Sequence, residues 1–147
     1  MGNYTKQQGQ HYMDRYHNDP EFRKRIIRHV HNSRMRYPFR VWANSVIQSH
    51  RQRGIQLKIT RIQLEELASK SPYCAFCGCI LKYGIQNGIK KWHFDSASAD
   101  RIDNIKPFSI KNIQIICVRC NSSKAQMNQS EFCEYIKTLY INLCQKP

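Results

Sequence analysis

The chain has 147 residues, 41% of them hydrophobic, and a formal net charge of +14. That length allows one compact domain, or a small core with appended helices. No apolar run approaches transmembrane length, and the start MGNYTKQQGQ has no apolar signal region and carries Lys6 where a myristoylation pattern needs Ser or Thr, so a soluble intracellular protein is expected.

Residues 1–18, rich in Gln, Asn, Tyr and His, are expected to form a flexible polar arm. Asp19-Pro20-Glu21 reads as a helix start: an N-cap, a proline at the first helical position and an acid in the first turn. Phe22, Ile26, Ile27 and Val30 then share one face, and Tyr37-Pro38 ends the helix. A second helix is predicted over about 39–53. It has Phe39, Trp42, Val46 and Ile47 at intervals of three or four, and Gly54 as its cap. Residues 55–59 alternate like a strand, and Thr60 caps a third helix bearing Ile62, Leu64, Leu67 and Ala68. Beyond the first cysteine pair, Gly84 and Gly88 mark a loop or hairpin. Strands are predicted over 90–94, with Trp92 and Phe94 in the core, over 97–102 and over 113–116. Pro107 sits in a turn at 104–109. A helix over about 121–127 and a last amphipathic helix capped by Ser130 complete the chain. Phe132, Tyr135, Ile136, Leu139 and Tyr140 line that last helix, whose role is core packing or, as the lesser reading, a homodimer interface.

Charge is unevenly placed. Residues 22–64 contain eleven Lys and Arg and no Asp or Glu. So many uncompensated charges repel one another unless an anion neutralises them, so a nucleic-acid partner is expected, with an anionic membrane surface as the weaker alternative. The candidate contacts are Arg23, Lys24, Arg25, Arg28, Arg34, Arg36, Arg40, Arg51 and Arg53, with Lys124 further along. Charge alone does not separate DNA from RNA.

Seven cysteines is an odd number, and four of them have metal spacing: Cys74-x-x-Cys77 and Cys117-x-x-Cys120. Four thiolates hold one tetrahedral zinc ion, and a reducing compartment suits them better than a disulfide scaffold. Cys79 competes for the role on position, but Gly78 after Cys77 permits the tight turn of a metal knuckle, so Cys79 is read as a small core residue. Cys133 and Cys144 show no pairing logic. A four-thiolate zinc has no open position for water, so any chemistry needs a second metal. Hard oxygen donors for magnesium or manganese stand nearby in Asp100 and Asn121, although Asn121 also fits a plain helix cap.

Taken together, Cys74-x-x-Cys77, Asp100-Arg101-Ile102-Asp103-Asn104, Asn112 and Cys117-x-x-Cys120-Asn121-x-x-Lys124 resemble the HNH endonucleases over residues 72–128. These are the ββα-metal nucleases of phages, homing elements and restriction systems. The resemblance implies an α+β fold: a small ββα-metal domain at 72–128 stapled by a four-cysteine zinc site. A basic helical region at 19–71 would precede it and a packing helix at 129–147 would follow. It makes Asp100 and Asn121 the ligands of a catalytic magnesium or manganese ion, and Asn112 the residue tying the loop to the hairpin.

One position departs from the pattern. Arg101 stands where the family places the histidine that activates water, and a guanidinium cannot accept a proton at working pH. Several explanations stay open. His93, Asp103 or, more weakly, Tyr83 supplies the base; Arg101 binds phosphate while solvent takes the proton; or the site is inactive. His93 in Lys-Trp-His-Phe also reads as a packing or DNA-facing residue. The expected function is a metal-dependent DNA endonuclease, and the family resemblance suggests a phage or mobile-element origin. Its alternative is a catalytically inactive zinc protein of HNH descent that binds DNA or RNA.

Overall fold

The computed structural model describes residues 5–84 and 93–145, and the chain divides into two compact units meeting at Tyr37 and Pro38. The architecture is mixed α and β.

The first unit holds helices α1 (Lys6–Asn18) and α2 (Pro20–Arg36), which pack on each other. The expected flexible arm is therefore helical from residue 6. Its start is a reciprocal cap: the Thr5 side chain accepts from the Gln8 backbone N–H, and the Gln8 side chain accepts from that of Thr5. Such a pair satisfies two otherwise orphaned amide groups, and polar composition concealed it. Tyr12 then meets Phe22 edge to face, with ring centroids 5.5 Å apart. Asp19 caps α2 by accepting from the Phe22 N–H at 2.9 Å, a bond that holds its carboxyl below the usual range. Neither helix contains a buried residue, and Ile27 and Val30 of the expected apolar face are exposed.

The second unit opens with α3 (Pro38–Gln52) and α4 (Arg61–Ser69), which pack closely together. Thr60 caps α4 with a second reciprocal box, here with Gln63. Trp42 of α3 is buried and donates its indole N–H to the Ala97 carbonyl at 2.9 Å, so α3 is pinned to the sheet. Two small sheets follow. β1 (Leu57–Lys58) pairs in parallel with β3 (Phe108–Ser109), shorter than the strand expected over 55–59. β2 (Ala97–Arg101) pairs antiparallel with β4 (Ile113–Cys117), setting Asp100 opposite Gln114 and Ala97 opposite Cys117. A turn of 3-10 helix, Ile110–Asn112, leads into β4. Leu64, Ala68, Phe108, Ile115 and Ile116 form the centre of the core with the buried Cys74 and Cys117.

The later elements begin earlier than the sequence suggests. α5 runs Val118–Lys124 because the Cys117 sulfur, at the N-cap, accepts from the Cys120 N–H. α6 (Gln129–Cys144) is capped by Asn128, not Ser130, through a reciprocal pair with Glu131. Of the strand expected over 90–94, residues 90–92, Trp92 included, lie outside the described residues, as does Gly88. Phe94 is in a turn and 68% exposed, with the Arg119 guanidinium 5.0 Å from its ring centre, so it is not core. Among the described residues no helix is long and apolar enough to cross a membrane.

α6 is attached through few apolar contacts. Phe132 is its buried residue and stacks on Phe76 at 5.4 Å, while Tyr135, Ile136 and Tyr140 remain exposed. Truncating a buried phenylalanine loses both transfer energy and packing. Phe132→Ala should lower stability by about 3 kcal/mol in urea unfolding, whereas Tyr140→Ser should change it by less than about 0.5 kcal/mol. Equal effects would mean that α6 is held through a different face.

Candidate metal centre and adjoining cleft

Two hairpin-like turns deliver the four cysteines to one point. In the first, the Gly78 N–H bonds the Cys74 carbonyl at 2.9 Å and the Cys74 N–H bonds the Cys79 carbonyl at 2.8 Å. Gly78 has φ +70°, a conformation that a side chain would strain. The second turn is the start of α5. The sulfur atoms of Cys74, Cys77, Cys117 and Cys120 all lie within 4.8 Å of one another.

The geometry fits a tetrahedral zinc ion. Bonds of about 2.3 Å require sulfurs about 3.8 Å apart, and the Cys77 and Cys117 sulfurs are 3.8 Å apart. Backbone amides already point at the sulfurs: Cys117 N–H to Cys74 Sγ at 3.2 Å, and Cys120 N–H to Cys117 Sγ at 3.4 Å. The Cys79 backbone N–H lowers the Cys77 thiol to about 6, favouring the thiolate that a metal binds. Burial pushes the Cys79 thiol up to about 12, and pushes Cys120 up as well. A bound cation reverses that tendency for a ligand. Cys79 is half-buried against the core, outside the four-sulfur cluster.

Beside this centre lies a cleft of about 380 Å³ between α3, β2 and the end of α5. Asp100, Arg101 and Asn121 line it, together with Ser98, Asn104, His50 and Arg53. Asp100 is buried, and both of its oxygens are engaged. Oδ1 accepts from Lys124 Nζ at 3.0 Å, and Oδ2 from the Gln114 side chain directly across the strand pair at 2.9 Å. Asn121 donates to Ser98 Oγ at 2.7 Å, which commits its nitrogen and leaves its oxygen. The half-buried Arg101 donates to the Lys106 carbonyl at 3.4 Å.

Lys124 corrects an expectation. It is completely buried and so cannot belong to a nucleic-acid surface. Its ammonium is shared between Asp100 and the Arg101 carbonyl, 2.9 Å away. A buried ammonium needs such partners, because taking it out of water unpaired is very costly. The chain holds it there by turning immediately afterwards: Ala125 has φ +49°, and the Asn104 side chain donates to the carbonyls of Gln126 and Met127.

Apart from Arg53, the remaining sequence candidates are not among the cleft residues. Asp103 is drawn into its own loop, accepting from the Ile105 N–H and pairing with Lys106 at 2.9 Å. The Lys106 bond, then the Ile105 amide, holds its carboxyl below the usual range. Asn112 accepts from the Asp103 N–H and donates to the carbonyls of Asp103 and Pro107 at 2.9 and 3.1 Å, fixing loop 103–107 against β4. His93 precedes β2 and, like Asp103, Asn112 and Tyr83, is not among the cleft residues. Tyr83 spends its hydroxyl on the Ser71 carbonyl at 2.7 Å, and burial raises its pKa. Of the basic candidates, Arg23, Lys24, Arg25, Arg28, Arg36, Arg40, Arg51 and Arg53 are exposed and Arg34 is half-buried. Lys24 pairs with Glu21 at 2.8 Å and Arg40 with Glu65 at 3.4 Å.

Sequence reading missed His50, Gln114 and Ser98. Gln114 and Ser98 carry no signal until the β2–β4 register is known. His50 did carry one, because it continues the Trp42, Val46 face of α3 at intervals of four. Comparison with protein families, curated proteins and solved structures finds no match to this chain.

The purified protein should contain one zinc ion per chain by atomic absorption. Cys77→Ser and Cys117→Ser should each lose it, and Cys79→Ser should retain it. Zinc loss in the Cys79 variant alone would move the centre. Lys124→Met should lower stability by about 3 kcal/mol or more, by stranding Asp100. A double variant that also carries Asp100→Leu should be less destabilised than the sum of the singles, measured by urea unfolding. Additive effects would mean that the two groups do not interact.

Proposed function

We propose that the protein is a metal-dependent DNA endonuclease of the HNH, or ββα-metal, type. One observation carries this reading: an antiparallel strand pair and the helix after it, tied by a four-cysteine cluster, bring Asp100 and Asn121 to the same cleft. Asp100 and Asn121 would hold magnesium or manganese, since each keeps oxygen lone pairs beyond its observed bonds. When bound, such an ion stabilises charge on the leaving oxygen of a phosphodiester. Arg101 and Arg53, which line the cleft, suit the phosphate on either side of the scissile bond. The exposed arginines of α2 and α3 suit the remainder of the DNA backbone. A reducing, intracellular setting fits the thiolate cluster, and a phage or mobile-element source belongs to the same reading. Cutting both strands at once needs two sites, and the exposed Tyr135, Ile136 and Tyr140 of α6 are where two copies would meet.

The second reading is a non-catalytic zinc protein that binds DNA or RNA. The Asp100–Lys124 pair favours it, because Lys124 already supplies the counter-charge that a divalent ion would bring. Arg101 favours it as well.

Plasmid nicking decides between them. The first reading expects cleavage with magnesium or manganese, abolished by Asp100→Ala and reduced about 100-fold or more by Asn121→Ala. The second expects tight, salt-sensitive binding and no cleavage with any divalent metal. Cleavage unchanged in both variants would remove Asp100 and Asn121 from the site.

A further inference from the structure

We propose that His50, delivered by helix α3 from outside the cysteine-bounded segment, is the proton acceptor that Arg101 cannot be. This rests on the nuclease reading and names the base it lacks. Three observations carry it.

First, His50 lines the same cleft as Asp100, Arg101 and Asn121, whereas His93 and Asp103 do not. Second, its tautomer is set by the helix. Nδ1 lies 2.9 Å from the Val46 carbonyl, which can only accept, so Nδ1 carries the proton and Nε2 keeps its lone pair. Third, the ring is fixed on both sides. Phe108 lies against it with ring centres 4.1 Å apart. Arg53 Nη2 is 3.3 Å from Nδ1 and 3.4 Å from Nε2, which holds the guanidinium against the ring beside both nitrogens.

The charged groups facing His50 act in one direction. Burial pushes the imidazole below its ordinary value, opposed in part by the Val46 carbonyl, and Arg53 and Arg101 add to the depression. These causes favour the neutral ring, the form that can accept a proton.

The step balances simply. A water oxygen attacks phosphorus as one of its protons passes to His50 Nε2. The bond from phosphorus to the leaving oxygen breaks, and its electron pair stays on that oxygen, which is protonated from solvent. The imidazolium returns its proton to solvent, leaving a phosphate monoester and an alcohol.

The test compares single-turnover cleavage by the zinc-loaded wild type, His50→Gln and His50→Ala, with DNA affinity and zinc content measured alongside. Both variants should cleave about 100-fold more slowly or worse, bind DNA as the wild type does, and keep their zinc. Added imidazole should restore His50→Ala. Rates within threefold of wild type overturn the proposal, as does a loss that parallels lost zinc or lost DNA affinity, or a failure of imidazole to restore activity. The wild type also reports by nitrogen NMR without any substitution: the neutral ring should show Nδ1 protonated, and an Nε2–H tautomer overturns the assignment. A wild type that cleaves nothing removes the nuclease reading itself, which is distinct from an active enzyme indifferent to His50.

Discussion

The second unit depends on the convergence of two cysteine pairs separated by 39 residues. Cys74 and Cys77 stand at the end of the helical part, and Cys117 and Cys120 at the junction of β4 and α5. The Cys117 N–H to Cys74 Sγ bond and the Ala75 N–H to Ile115 carbonyl bond draw these places together. Closing so long a loop is entropically costly, and a small core alone pays for little of it. A metal ion held by the four cysteines only in the folded state would supply the missing stabilisation. The same junction sets the rest in order, because Cys117 is at once the end of β4, the cap of α5 and a member of the sulfur cluster.

From that junction the cleft follows geometrically. β2 pairs with β4 so that Asp100 faces Gln114, and α5 leaves Cys117 across the strand pair, which brings Asn121 over Ser98 and Lys124 over Asp100. The two contacts fall on α5 three residues apart, about one helical turn. α3 closes the opposite side through the bond from Trp42 to Ala97. The cleft therefore has a wall made by the cysteine-bounded segment and a wall made by a helix far from it in sequence.

That division explains what the sequence revealed. Metal spacing is a local pattern, so Cys74, Cys77, Cys117 and Cys120 are legible as one group, and the apolar pattern locates α3, α4 and β4. Capping chemistry is legible for Asp19 and Thr60 but hidden at Thr5, because polar composition without an apolar face suggests a flexible arm. Lys124 was misread for a related reason. Lysine is almost always exposed, and its burial follows from a partner, Asp100, that only the α5 crossing supplies. Phe94 erred in the opposite direction: an aromatic residue in a strand-like pattern lies in a turn and meets Arg119.

Arg101 is where these two kinds of information meet. From sequence, its place beside Asp100 poses the question of where a proton goes, and the nearby candidates were sought along the chain. In the fold, the neighbours along the chain turn away: Asp103 is spent on Lys106 and the Ile105 amide, and His93 lies before the strand begins. What faces Asp100 and Arg101 across the cleft comes from α3, some fifty residues earlier. Burial holds the His50 imidazole below its ordinary value, and the charges of Arg53 and Arg101 add to that depression. An arginine at the expected base position cannot itself accept a proton, so in the nuclease reading the acceptor comes from elsewhere. Helix α3, which crosses from outside the cysteine-bounded segment, is the element that places a histidine in that cleft.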